Sequence, residues 1–568
     1  MSMSLTTSAP SSSLPQAGAW ERARARPGPP QATIDVGNVA VPPAPPWDAR
    51  AWIFFAAAVL LLGLGLWQQR HFFHDDAYVP LRYAERLLAG QGVTWNDGER
   101  VEGFSSPAWL FQVALLGGLG VPLPLASRLL GIAYAIAVLA LWYRVRGDPA
   151  GLLALVSLQG FTLWAWGGLE TISVCFWILV ALVLVLRLRE DPDRFHRGVL
   201  LGLSLTAIAF SRPEGIAVSL SFLCAAWPGR RNPRVLAAAS GLLLAFTAYE
   251  IFRLSYFGDW LANGARAKTL GLALGPQIES GSIYLFKTAP LWLGSVLLAG
   301  WMLAWSPTRA RLSWLLLPIA PLLLAIVAAG GDHMLGARFI LAPVAVMCLV
   351  AALALPSQRA GVRRIVSVLA AFCALWQFDF VWSYPAAPDP AAAEGEVVGR
   401  ALESRLPAKT LVAAATAGSV PYFAPSLAFI DTLGLNDRHI ARRTPAGLPP
   451  TIGRSVGRFL VPGHRRGDGA YVLSRRPDVI MLGGAKGDLL PWFLGDYQIA
   501  TAQLFQQGYA PWRIFVPVPP SSRPWLANMV DVESGRLAIT LYVRRDSAAW
   551  VSVAREGEAL KPPWLDGQ

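Results

Sequence analysis

Cysteine and charge are both scarce in this 568-residue chain, and each scarcity closes off a class of reading. The four cysteines, Cys175, Cys224, Cys348 and Cys373, all fall inside apolar runs, so no disulfide framework is available to the long polar segments. Only 15% of residues are charged, against about 25% in soluble proteins. With 54% hydrophobic residues and 23 tryptophans, the composition predicts a polytopic membrane protein. Metal-site spacing is missing as well: there is no HExxH and no Cys/His cluster to join Asp332 and His333. "LGGAKGD" at 482–488 lacks the spacing of a phosphate loop and reads as a turn after a strand.

What is present is a formal net charge of +13, carried mainly in short loops between apolar runs. In a soluble protein this excess would point to nucleic acid; here it signals topology. Residues 1–48, rich in Ser, Pro and Ala, read as a disordered cytoplasmic tail. Apolar runs near 51–67, 124–143, 150–166, 171–187, 198–210, 213–227, 234–254, 283–304, 312–329, 338–355 and 363–383 give about eleven spans, with 198–227 a hairpin turning at Pro213. The glycine-broken run 107–120 reads as a helix lying in the outer interface. The basic loops, holding Arg144 and Arg146, Arg187 to Arg197, Arg230 to Arg234, Arg309 and Arg311, and Arg359 to Arg364, then all fall on the inner side. Residues 49–383 form the transmembrane domain, with an outer loop over 68–123. Residues 384–568 form an outer α/β domain, with β-like runs at 411–415, 427–430, 479–482 and 537–543.

This topology gathers "HDDAYVPLRYAER" (74–86), "WGGLET" (166–171), "SRPEG" (211–215), "YFGDWLANGARAK" (256–268) and "GGDHMLGAR" (330–338) on one face. Asp75 and Asp76 open an amphipathic helix, and either could simply be its N-cap. Two adjacent carboxylates repel each other, however, which can raise one pKa and make a base. Glu170, Arg212 and Glu214 stand at span ends, where ionisable groups mark functional sites, although Arg212 and Glu214 could also pair only with each other. Arg82, Arg212, Arg266, Lys268 and Arg338 are the outer cations available to a phosphate. Glu102, Asn263, Asp332 and His333 complete the candidate substrate contacts. In the outer domain, "GLNDRHIARR" (434–443) and "VPGHRRGDGAY" (461–471) are polar enough to face a ligand.

In order and common sidedness these motifs resemble the polyprenyl-phosphate-dependent integral-membrane glycosyltransferases of the GT-C fold, and among them the mycobacterial terminal β-(1→2)-arabinofuranosyltransferase family. The resemblance runs over roughly 50–545 and includes "IDTLGLNDRHIARR" and "RRPDVIML". It implies transfer of an arabinofuranosyl or mannosyl group from a lipid-phosphate donor to a cell-envelope glycan or glycolipid. The reaction would occur at the outer face of the bacterial plasma membrane, with Asp75 as general base and Asp76 beside it. No cofactor is required, and a divalent cation is the one addition left open. The chain departs from the family at Ala262, where a proline often precedes the asparagine, and at His333, often Trp or Phe. Two other classes fit many spans with buried charge: a lipid-linked-sugar flippase or transporter, and a structural protein that binds envelope polysaccharide. Against the transporter stand the absent inverted repeat, the motifs confined to one side and the large outer domain.

Overall fold

Short polar side chains set the helix starts at one end of the bundle. Asp48 caps Ala49–Gln68 by accepting from the Ala51 N–H at 2.8 Å. Asp148 caps Pro149–Val156 through the Ala150 N–H at 3.0 Å, and Asn232 caps Pro233–Tyr256. In each case the side chain satisfies an N–H that the helix leaves open. Asp148 also accepts from Arg50, which in turn donates to Ser367, so the beginnings of two helices are tied to the helix Ala360–Ser383 there. Ala49–Gln68 is 20 residues long, which carries the chain about 30 Å to the other end, where the 74–86 stretch lies.

The computed structural model describes residues 47–563 except 191–193, 227–231, 306–311, 384–386, 445–462 and several positions between 521 and 533. The tail residues 1–46, and Arg230, Arg231, Arg309 and Arg311 of the expected inner loops, lie outside the described residues. Among the described residues, six helices are long and apolar enough to cross a membrane, and Pro149–Val156 with Gln159–Trp166 make a seventh if that pair, bent by 66°, is one span. Thr171–Glu190 and Leu335–Ser357 are central, with 78% and 83% of their apolar windows buried, whereas Pro233–Tyr256 is only 17% buried. The expected count of eleven depends on shorter helices. Phe195–Ser211 and Gly215–Ala226 do form a hairpin, in which the Ser219 hydroxyl donates to the Leu205 carbonyl. Pro107–Gly118, at 12 residues, falls short of the roughly 17 a span needs.

Small residues let the helices approach. A Cβ at Gly160 would lie 2.0 Å from the Gly336 carbonyl oxygen, and Gly336 itself has φ +72°. Packing in lipid relies on such contacts because the solvent offers no hydrophobic drive.

The C-terminal region folds around a mixed sheet of order β2-β1-β3-β6-β4-β7 with β5 paired to β6. Its strands are β1 (Leu411–Ala414), β2 (Ala428–Asp431), β3 (Val479–Met481), β4 (Tyr509–Pro517), β5 (Val530–Asp531), β6 (Arg536–Arg544) and β7 (Glu558–Ala559). β1 pairs parallel with β2 and β3, and the remaining pairs are antiparallel. All four β-like runs seen in the sequence are strands. β4 was hidden by its prolines, which speak against a ladder position. Pro511 lacks an N–H, but its carbonyl still accepts from Leu560 at 3.0 Å.

The sheet region grips the first loop of the bundle. Asn96 bonds both the carbonyl and the N–H of Phe429, at 2.7 and 3.1 Å, and so covers the outer edge of β2. Arg82, 2% exposed, donates to the carbonyls of Trp95, Pro421 and Leu427.

Two outcomes follow from this architecture. Reporter fusions after Gly147 and after Gly395 should read inside and outside respectively; an outside reading at Gly147 would overturn the sidedness expected from the basic loops. Arg82→Ala should cost on the order of 3 kcal/mol by stranding buried carbonyls, read as a lowered unfolding midpoint in detergent, while the exposed Arg400→Ala should melt like the parent chain.

Candidate active site

Beyond Gln68 the chain turns through His71–His74 into a short 3-10 turn, Asp75–Ala77, and then the helix Tyr78–Leu88. The His74 ring caps the turn, its Nδ1 accepting from the Asp76 N–H at 3.1 Å. Successive residues on a helical turn are rotated by about 100°, so the two aspartates meet different surroundings.

Asp75 faces the C-terminal region. Its carboxylate accepts from the Ser419 N–H at 2.8 Å and from the Ser419 hydroxyl at 2.5 Å, and its own N–H donates to Asp389 at 2.8 Å. Burial pushes its pKa up to about 6; the Ser419 hydrogen bonds pull the other way, and the nearby Asp389 and Asp76 add to the rise.

Asp76 faces a cavity of about 320 Å³ between the bundle and the first loop. Glu170, Arg212, Glu214, Lys268 and Arg338 line the same cavity, together with Ser105, Ser106 and an apolar side that includes Leu261, Ala325, Ala328, Ala329 and Phe339. The Lys268 ammonium stands 4.0 Å from the Asp76 carboxylate. Burial opposes the charge on Asp76, but Lys268, His74, Arg338 and His333 outweigh it and hold the carboxyl well below the usual carboxylate range.

The two arginines are aimed by neighbours on both sides. Arg212 pairs with Glu214 and, at 3.4 Å, with Glu170. Arg338 donates through Nε to Asp332 at 2.8 Å. Both guanidiniums lie over the Phe339 ring, 4.3 and 4.8 Å from its centroid. The pairing of Arg212 with Glu214 therefore exists and does not exclude either from the cavity. The His333 Nδ1 lies 3.9 Å from Asp332, and its ring is 4.9 Å from that of His464.

Six of the twelve candidates thus converge: Asp76, Glu170, Arg212, Glu214, Lys268 and Arg338. Four others have strong partners elsewhere. Asp75 is held by Ser419 and does not line the cavity. Arg82 is spent on backbone carbonyls. Glu102 is taken by Arg253, at 2.6 Å, and by the Tyr249 hydroxyl. The Asn263 amide donates to the Gly434 and Leu435 carbonyls at 2.9 Å each. Ser105 and Ser106 were not among the candidates, although "FSSP" before a helix is a capping signal. Ser106 sits at that N-cap without a side-chain capping bond, which leaves its hydroxyl for the cavity. Among the described residues no group of three or more His, Cys, Asp or Glu side chains could hold a metal ion.

Comparison with known proteins adds the following. Residues 388–532 match a family described as "Domain of unknown function (DUF8728)". The terminal β-(1→2)-arabinofuranosyltransferase of Mycobacterium tuberculosis is 30% identical over 300 residues, 48% of this chain and 46% of that protein. The enzyme of the same name from Corynebacterium glutamicum is 27% identical over 369 residues, 55% and 52% of the two chains. ArnT from Cupriavidus metallidurans superposes with TM-score 0.44 when bound to undecaprenyl phosphate, at 14% identity, covering 67% of this chain and 86% of that one. Its apo form gives 0.43 at 14% identity, covering 86% and 97%. The chain spans about half the length of the curated relatives it matches, and over that half it is similar to two enzymes that share one name.

Proposed function

We propose that this chain is a GT-C-type integral-membrane glycosyltransferase that moves a sugar from a polyprenyl-phosphate donor to a cell-envelope glycan or glycolipid on the outer face of the plasma membrane. Asp76, rather than Asp75, is the general base of this reading. The observation that carries it is the cavity in which an ionised Asp76 meets Lys268, Arg212 and Arg338 beside an apolar wall. The names of the similar enzymes favour an arabinofuranosyl group.

The chemistry matches that inventory. As the acceptor oxygen bonds to the anomeric carbon, the bond from that carbon to the phosphate oxygen breaks, and the lipid leaves as a phosphate monoester. The leaving group needs cations rather than a proton, and the guanidiniums of Arg212 and Arg338 supply them in a site already organised around carboxylates. The acceptor hydroxyl becomes strongly acidic as its new bond forms, so even a carboxylate of low basicity can take its proton. Ala325, Ala328, Ala329 and Phe339 give the isoprenoid chain an apolar entry from the bilayer.

Asp76→Asn should bind a synthetic polyprenyl-phosphate arabinofuranose like the parent chain and transfer it about 10²-fold or more slowly. Asp75→Asn should lose less activity and shift the unfolding midpoint instead. Single-turnover transfer and detergent melting curves separate the two. Equal transfer by Asp76→Asn and the parent would sink the assignment, and transport of the lipid without transfer would favour the flippase class. Arg338→Ala should weaken donor use by about tenfold or more, the size expected for one charge-assisted phosphate contact. Saturation curves with the same donor measure this, and an unchanged apparent affinity would remove Arg338 from the phosphate site.

A further inference from the structure

Next to the cavity lies a larger open groove of about 860 Å³, formed by residues 98–101, 255–258, 437–443 and 471–475. Three of these stretches run on into the cavity wall, which takes 103–106, residues from 261 to 269, and Leu435. Groove and cavity are thus two sides of one partition. Asn263 pins it through the 434 and 435 carbonyls, and Arg438 pins it by donating to the carbonyls of Arg100, at 2.8 Å, and Phe257.

The groove is rich in arginine, yet its cations are mostly matched. Arg442 pairs with Asp259 at 2.7 Å, Arg443 with Asp468 at 3.2 Å and Arg475 with Glu99 at 3.2 Å. A guanidinium carries five N–H donors, so the half-exposed Arg442, Arg443 and Arg475 keep donors available, and the half-exposed Glu99 carboxylate offers an acceptor beside them. A flat platform lies among them: the His439 and Tyr471 rings stack at 4.0 Å with planes 15° apart. A second ring, Tyr256, lies beneath Arg100 at 4.6 Å.

We propose that this groove binds a neutral glycan chain, the part of the acceptor remote from the reacting hydroxyl; this rests on the glycosyltransferase reading above. A sugar presents hydroxyls that both donate and accept, and an apolar C–H face that lies flat on an aromatic ring. Carboxylate-paired arginines beside a ring platform offer both. A polyanion would instead call for unpaired cations and would lose affinity steeply with salt.

The test uses the full chain in detergent and a short neutral arabinofuranosyl oligosaccharide, titrated calorimetrically. Binding that changes little with ionic strength, falls about tenfold or more in Tyr471→Ala, a difference of about 1.4 kcal/mol, and is kept in Tyr471→Phe would support the groove. Tyr471→Ala binding as tightly as the parent would overturn it. So would preference for a sulfated oligosaccharide that dissociates as salt rises. The two readings fail separately: loss of transfer in Asp76→Asn with unchanged binding in Tyr471→Ala removes only the groove, whereas glycan binding lost in Tyr471→Ala by a protein that never transfers sugar keeps the groove and removes the transferase.

Discussion

The contact between the Asp75 carboxylate and the N–H and hydroxyl of Ser419 governs where the neighbouring site can lie. It joins the first loop of the helical bundle to the chain just after β1, 344 residues away in sequence. The approach is so close that a Cβ at Gly418 would fall 2.1 Å from the Asp75 carbonyl oxygen, and one at Gly395 would fall 1.8 Å from the Ser419 hydroxyl. Asp389 completes the clasp by accepting from the Asp75 N–H while also capping Pro390–Arg405. With Asp75 held this way, the next carboxylate on the turn is directed into the cavity. His74, whose Nδ1 holds the Asp76 N–H and whose Nε2 lies 3.8 Å from Asp389, links the two halves of the arrangement.

Arginine performs two different tasks around this clasp. Arg82, Arg438 and Arg466 donate to backbone carbonyls and act as rigid struts, Arg466 being 1% exposed. Arg212 and Arg338 instead rest on carboxylates and on a shared phenylalanine, with a cavity in front of them. Struts define the shape, because a planar fork reaches several carbonyls at once. The carboxylate-held pair defines the field, because its charges are fixed before any ligand arrives and need no reorganisation to meet an anion.

The distinction between the two tasks is what the sequence conceals. Apolar runs reveal where the bundle lies, short β-like runs between turn residues reveal β1, β2, β3 and β6, and charged span ends reveal Glu170, Arg212, Glu214 and Arg338. Each of those signals is local. The direction of Asp75, Arg82, Glu102 and Asn263 is decided by Ser419, Pro421, Arg253 and Gly434, all distant in the chain. A pair of adjacent aspartates therefore announces a polar turn without saying which member faces the cavity. β4 shows the same limit from the other side, since Pro511 contradicts a strand locally and is accommodated by a carbonyl bond to Leu560.

The clasp also has an energetic asymmetry. Asp75 is held at about 6, above the roughly 3.9 of an unfolded aspartate, so the native state binds its proton more tightly than the unfolded chain does. By linkage the protonated form stabilises the fold below the unfolded value, and that contribution is lost as pH rises through about 6. At neutral pH the buried carboxylate therefore costs a few kcal/mol relative to its protonated form. A stability argument alone would place an uncharged residue here. The charge is intelligible through its neighbour: a carboxylate that accepts two bonds from Ser419 fixes the turn more tightly than a neutral side chain could, and a fixed turn is what keeps Asp76 within reach of Lys268 and the arginine pair.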